Sequence, residues 1–76
     1  MPFASEATLE IDMEEPSELD LVLYDVGGKE IVKLTEGYNP QGNSKIRIDG
    51  TNLSPGPYIL KIHTQKTTEE RVIVRK

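Results

Sequence analysis

The chain has 76 residues, thirteen acidic and nine basic side chains, a formal net charge of −4, and neither cysteine nor tryptophan. That length allows one domain at most and buries only roughly 60 to 65 per cent of the unfolded surface, so the core is small and a ligand cavity would displace side chains it needs. Without cysteine there is no disulfide scaffold, thiolate zinc site or thiol catalysis, and an acidic total with no basic stripe argues against nucleic acid.

No run approaches the ~18 apolar residues of a membrane span, so no membrane insertion is expected. The start, Met1 to Glu6, lacks the charged and apolar regions of a signal peptide. Residues 1–38 hold ten carboxylates and two lysines, whereas residues 39–76 hold seven basic and three acidic residues. In a two-layer fold that asymmetry gives complementary cross-strand pairs.

Residues 1–7 read as a flexible lead and residues 8–76 as a single β-sandwich. Thr8 to Met13 alternates Leu9, Ile11 and Met13 against polar residues. Glu14 to Ser17 form a polar turn, and Glu18 to Tyr24 resumes the alternation with Leu19, Leu21 and Leu23 inward. These two strands are predicted to be antiparallel neighbours. Asp25 to Lys29 is a turn in which Gly27 and Gly28 supply positive φ, followed by a strand over Glu30 to Glu36.

Gly37 to Asn43 is the longest loop and the expected crossing between sheets. Ser44 to Asp49 is a strand with Ile46 and Ile48 inward and Lys45 and Arg47 outward. Gly50 to Gly56 is a second irregular link, with Leu53 plugging the end of the core. Tyr58 to Thr64 is the central strand: Tyr58, Leu60 and Ile62 face in, while Ile59, Lys61 and His63 face out. Pro57 stands where its missing N–H does least harm to the ladder. After a turn over Gln65 to Thr67, Thr68 to Arg75 closes the chain, with Val72 and Val74 expected inward. No window carries a helical apolar period, so the pattern predicts an all-β sandwich or barrel.

The residues offer no catalytic, metal or cofactor site. His63 is the single histidine, placed on the solvent side without the partner that general base or metal work requires. Asp12, Glu14, Glu15, Glu18 and Asp20 crowd one turn but lack the alternating spacing and central glycine of a calcium loop. Gly27-Gly28-Lys29 is no phosphate loop, and Asn52-Leu53-Ser54 is a weak glycosylation match. The four aromatics, Phe3, Tyr24, Tyr38 and Tyr58, read as core and corner residues rather than a sugar platform.

Four stretches taken together resemble a known family: Leu23-Tyr24-Asp25-Val26-Gly27-Gly28-Lys29-Glu30-Ile31, Ile46-Arg47-Ile48-Asp49, Leu53-Ser54-Pro55-Gly56-Pro57-Tyr58-Ile59-Leu60-Lys61-Ile62, and Val72-Ile73-Val74-Arg75-Lys76. In order and spacing they are similar to the type A C-terminal sorting domain of the Bacteroidetes type IX secretion system, over nearly the whole chain. Phe3 to Ile11 is similar to the family's opening, which usually begins Asn-Pro where this chain has Met1-Pro2. Pro57 stands where the family more often has a small or β-branched residue.

The resemblance implies an immunoglobulin-like antiparallel β-sandwich of six to seven strands that serves as an address and catalyses nothing. Its implied partners are an upstream cargo domain, the outer-membrane translocon and a sortase-like protease that removes the domain. The implied route runs through the periplasm to the cell surface or the medium. Gly56 and Tyr58 match the family's Gly-x-Tyr element, and Val74, Arg75 and Lys76 match its C-terminal end, so these five are the residues expected to be recognised. A monomer, or a weak dimer swapped through Thr8 to Met13, is expected. An internal immunoglobulin-like interaction or adhesion module and a small glycan- or calcium-binding sandwich stand as alternatives.

Overall fold

In the computed structural model residues 2–76 are described, and Met1, the first residue of the expected lead, lies outside them. The strands are β1 (Pro2–Phe3), β2 (Glu6–Met13), β3 (Ser17–Asp25), β4 (Glu30–Thr35), β5 (Tyr38–Asn39), β6 (Gly42–Asp49), β7 (Gly56–Thr64) and β8 (Thr68–Arg75). The larger sheet runs β1-β8-β7-β3-β4 with β5 beside β3; the smaller consists of β2 and β6. Among the described residues there is no helix. The architecture is all-β and consistent with an immunoglobulin-like sandwich.

The core lies between the two sheets. Leu19, Leu21 and Leu23 of β3, Tyr58, Leu60 and Ile62 of β7 and Ile73 of β8 meet Leu9 and Met13 of β2 and Ile48 of β6, with Phe3 closing one end. The alternation predicted for β3 and β7 is observed, because a strand with one face against a core must put every second side chain there. Fully burying a leucine or isoleucine contributes about 1.5–3 kcal/mol, so the six completely enclosed side chains, Leu19, Leu21, Leu23, Ile48, Leu60 and Ile73, dominate what holds so small a fold together.

The turn between β3 and β4 is built by Asp25, whose carboxylate Oδ1 accepts hydrogen bonds from the N–H groups of Gly27 and Lys29, each at 2.9 Å. Gly28 adopts φ +91°, while Gly27 keeps negative φ. One glycine rather than two supplies the left-handed residue.

β2 and β3 are not neighbours. β2 pairs with β6 in the smaller sheet, and β3 pairs with β7 and β4 in the larger. A tight β2–β3 hairpin about Glu15 would set Asp12 and Glu10 against Glu18 and Asp20, and like charges directly opposite are destabilising. Pairing with β6 instead brings Glu6 to Arg47 at 2.5 Å and Glu10 to Lys45 at 3.9 Å. Part of the charge asymmetry between the two halves is matched in this pairing, although it also sets Glu6 opposite Asp49.

β8 is also one residue out of phase with expectation. Val72 and Val74 are 63% and 39% exposed, while Ile73 is 1% exposed. Ile73 stands opposite Tyr58, and directly paired residues share a face of the sheet. A run of three apolar residues satisfies either phase, so the phase is decided by the partner strand.

Within residues 2–7, Pro2 and Phe3 and then Glu6 and Ala7 lie in strands, with a bend at Ala4 and Ser5 between them. Pro2 and Phe3 run parallel to Val74 and Arg75, and Glu6 and Ala7 extend β2 against Asp49 and Ile48. Phe3 is buried in the core. The 37–43 segment carries β5, which pairs with Ser17 and Glu18, before the chain passes to the other sheet at β6. Pro57 pairs with Val74 in an uninterrupted register.

Candidate recognition surface

The five residues singled out by motif gather at one end of the larger sheet. Gly56 opens β7 directly opposite Arg75, and Tyr58 follows opposite Ile73. Val74 lies between Pro57 and Pro2, and Arg75 between Gly56 and Phe3. The central strand and the closing strand therefore bring the Gly-x-Tyr element and the C-terminal residues, far apart in the chain, into one patch.

Each residue has a distinct local role. Gly56 adopts φ +141° with open space where a Cβ would stand, so backbone conformation rather than crowding calls for glycine there. Tyr58 is buried at 7% exposure, and its hydroxyl donates to the Ser54 carbonyl at 2.7 Å. The ring thereby pins the 50–56 link onto β7, and Tyr58 shapes the patch from beneath it. Val74 presents its side chain to solvent on the outer face.

Arg75 is half-buried and tied down. Its Nε donates to the Gly50 carbonyl at 2.8 Å, and its Nη1 donates to the Lys76 carbonyl. The Lys76 N–H donates to the Phe3 carbonyl at 2.8 Å, leaving the ammonium group exposed. Of the two terminal cations, Lys76 presents its charge outward, while Arg75 spends much of its hydrogen-bonding capacity holding the end of the fold.

One residue of this end escaped the sequence reading, Gly50; Phe3, read there as a core or corner residue, is buried against it. A Cβ at Gly50 would stand 2.7 Å from the Phe3 ring, 3.0 Å from the Ala4 carbonyl oxygen and 3.1 Å from Cδ of Arg75. Gly50 is therefore the point where the entering strand, the 50–56 link and the closing strand converge. Its signal was Asp49-Gly50-Thr51: Asp49 Oδ1 accepts the Thr51 N–H at 2.9 Å, an Asx-type turn. Hydrogen bonds from the Thr51 side chain, and then from its backbone, hold the Asp49 carboxyl below the ordinary carboxylate range.

The remaining polar candidates do not converge. His63 is exposed, with Nδ1 2.7 Å from the Thr68 hydroxyl. Asp12 accepts from Asn43 at 2.8 Å, and Glu15 pairs with Lys66 at 2.6 Å; that contact, foremost its hydrogen bond, raises the Lys66 ammonium above its ordinary value. Among the described residues no group of three or more His, Asp or Glu side chains is placed to hold a metal ion. Among the described residues no helix is long and apolar enough to cross a membrane.

A family model described as the secretion system C-terminal sorting domain matches residues 2–75. No curated protein and no solved structure matches the chain.

Proposed function

The chain belongs to the family of secretion system C-terminal sorting domains, and on that premise we propose that the secretion machinery reads it at the patch formed by Gly56, Tyr58, Val74, Arg75 and Lys76. The domain is a sorting signal of type IX secretion: it works with that machinery on behalf of an upstream cargo, for export to the cell surface or the medium. In our reading the cargo passes through the periplasm, the domain engages the outer-membrane translocon, and a sortase-like protease then removes it. The domain itself catalyses nothing, and residues 2–76 act as one folded unit.

The observation that carries the patch is the meeting of both matched ends of the motif on adjacent strands, Gly56 opposite Arg75. An exposed lysine and an outward valine, set on a rigid sheet end, offer a receptor both charge and apolar area. Tyr58 and Gly56 enter by fixing the backbone on which those groups stand.

A reporter bearing a signal peptide, fused ahead of residues 2–76 in a type IX-competent bacterium, is expected at the surface. Fusions carrying Lys76→Glu or Val74→Glu are expected to accumulate in the periplasm while the isolated variant domains keep the parent melting temperature. Undiminished export of both variants would remove the patch from the reading, and an intact fusion that stays in the periplasm would remove the sorting function. Deleting residues 74–76 is the harsher test, because it also takes away the bonds to Phe3 and Gly50.

A further inference from the structure

The larger sheet is five strands wide along its main path and the smaller only two, so part of the inner face has no roof. On the β8 flank the uncovered inward positions are Glu69 and Arg71, opposite Ile62 and Leu60. They form an ion pair at 2.5 Å, and that flank is closed by charge. On the β4 flank the position opposite Leu23 is Val32, which is 41% exposed, and Leu34 is only partly buried against the core. β6 approaches β4 on this side. Among the described residues β2 is the one strand paired with β6, which leaves its second edge open. An open strand edge beside uncovered apolar side chains is a template for a further strand.

The chemistry that β6 accepts is displayed by the strand it already holds. Its outward Arg47, Lys45 and Asn43 meet Glu6 at 2.5 Å, Glu10 at 3.9 Å and Asp12 at 2.8 Å. Its inward Ile46 stands opposite Leu9. β2 thus sets outward acids among apolar residues against the Lys45 and Arg47 stretch of β6, with Asp49 at the far end of β6 standing opposite Glu6. A second copy of β6 fits poorly on the open edge, since antiparallel self-pairing sets Lys45 against Arg47, and like charges directly opposite repel.

We propose that the open edge of β6 receives an extended strand of alternating acidic and apolar residues supplied by a component of the secretion machinery. Its acids meet Lys45 and Arg47, and its apolar side chains cover Ile46, Val32 and Leu34. The identity of the donor rests on the sorting function; the chemistry of the edge rests on β6 alone.

The test uses the isotope-labelled domain and, as probe, a synthetic peptide of residues 6–13 at millimolar concentration. Amide exchange is expected to slow along residues 42–49, with resonance shifts at Val32 and Leu34 and the β2 signals retained. A control peptide carrying Glu6→Lys, Glu10→Lys and Asp12→Lys turns attraction into repulsion and is expected to bind at least about tenfold more weakly. A Val32→Ser domain is expected to melt as the parent does and to bind the probe severalfold more weakly. The proposal is overturned by an unprotected β6, by equal binding of both peptides, or by a probe that displaces β2, which is strand exchange with the chain's own segment. A domain that exports its reporter but ignores the acidic peptide loses this edge alone; one that binds the peptide but exports nothing loses the machinery as donor.

Discussion

The guanidinium Nε of Arg75 donates to the backbone carbonyl of Gly50 at 2.8 Å, and this bond locks the closing strand to the link between β6 and β7. Because Arg75 also pairs with Phe3 on one side and Gly56 on the other, residues proposed for recognition also hold the fold together. Substitutions here therefore need a stability measurement beside every export measurement.

Gly50→Ala is expected to destabilise the domain by about 1–3 kcal/mol, the usual cost of forcing an extra methyl into a filled site. The added carbon would stand 2.7 Å from the Phe3 ring and 3.0 Å from the Ala4 carbonyl, and the backbone oxygen cannot turn aside as a side chain can. Urea unfolding followed by circular dichroism measures it. An unchanged midpoint would mean that β1 does not seat Phe3 as described.

The phase of β8 is tested by three alanines. Ile73→Ala removes a completely enclosed side chain and is expected to cost about 2–5 kcal/mol. Val72→Ala and Val74→Ala, on the outer face, are each expected to cost less than about 1 kcal/mol. The reverse order of midpoints would restore the phase expected from sequence.

The Asp49 turn predicts a pH response of definite sign. Thr51 lowers the folded Asp49 carboxyl below its ordinary 3.8, so the contribution is present above that value and fades as pH falls through the folded one. The Lys66 ammonium, raised above 10.5 by Glu15, contributes fully below 10.5 and fades as pH rises through its folded value. In Thr51→Val, carboxyl resonances are expected to show Asp49 titrating at higher pH than in the parent. An unmoved midpoint would detach Thr51 from the shift.

Much of the fold was legible because a half-buried strand writes its faces into every second residue. β3 and β7 declared Leu19, Leu21, Leu23, Tyr58, Leu60 and Ile62 as inward, and Asp25 to Lys29 marked the hairpin to β4, although of the two glycines expected at positive φ only Gly28 adopts it. The neighbour of β2 was not legible, because pairing joins segments far apart in the chain and the charges that choose between them act across space. The proposed patch was half legible: its five residues could be named from motif, and Phe3 as a core or corner residue, but Gly50, where the entering and closing strands meet, looks unremarkable in a linear string.

By itself the chain's order of residues determined that this would be a helix-free, two-layered domain with Leu60 and its alternate neighbours at the centre, since burial and strand periodicity are local properties. Only the tertiary structure decided that Ile73 rather than Val72 and Val74 enters the core, that β1 runs beside β8, and that among the described residues β6 keeps one edge open. Those outcomes depend on which strand lies opposite which. That choice is set by packing and charge between segments separated by dozens of residues, and no window along the chain contains both halves of it.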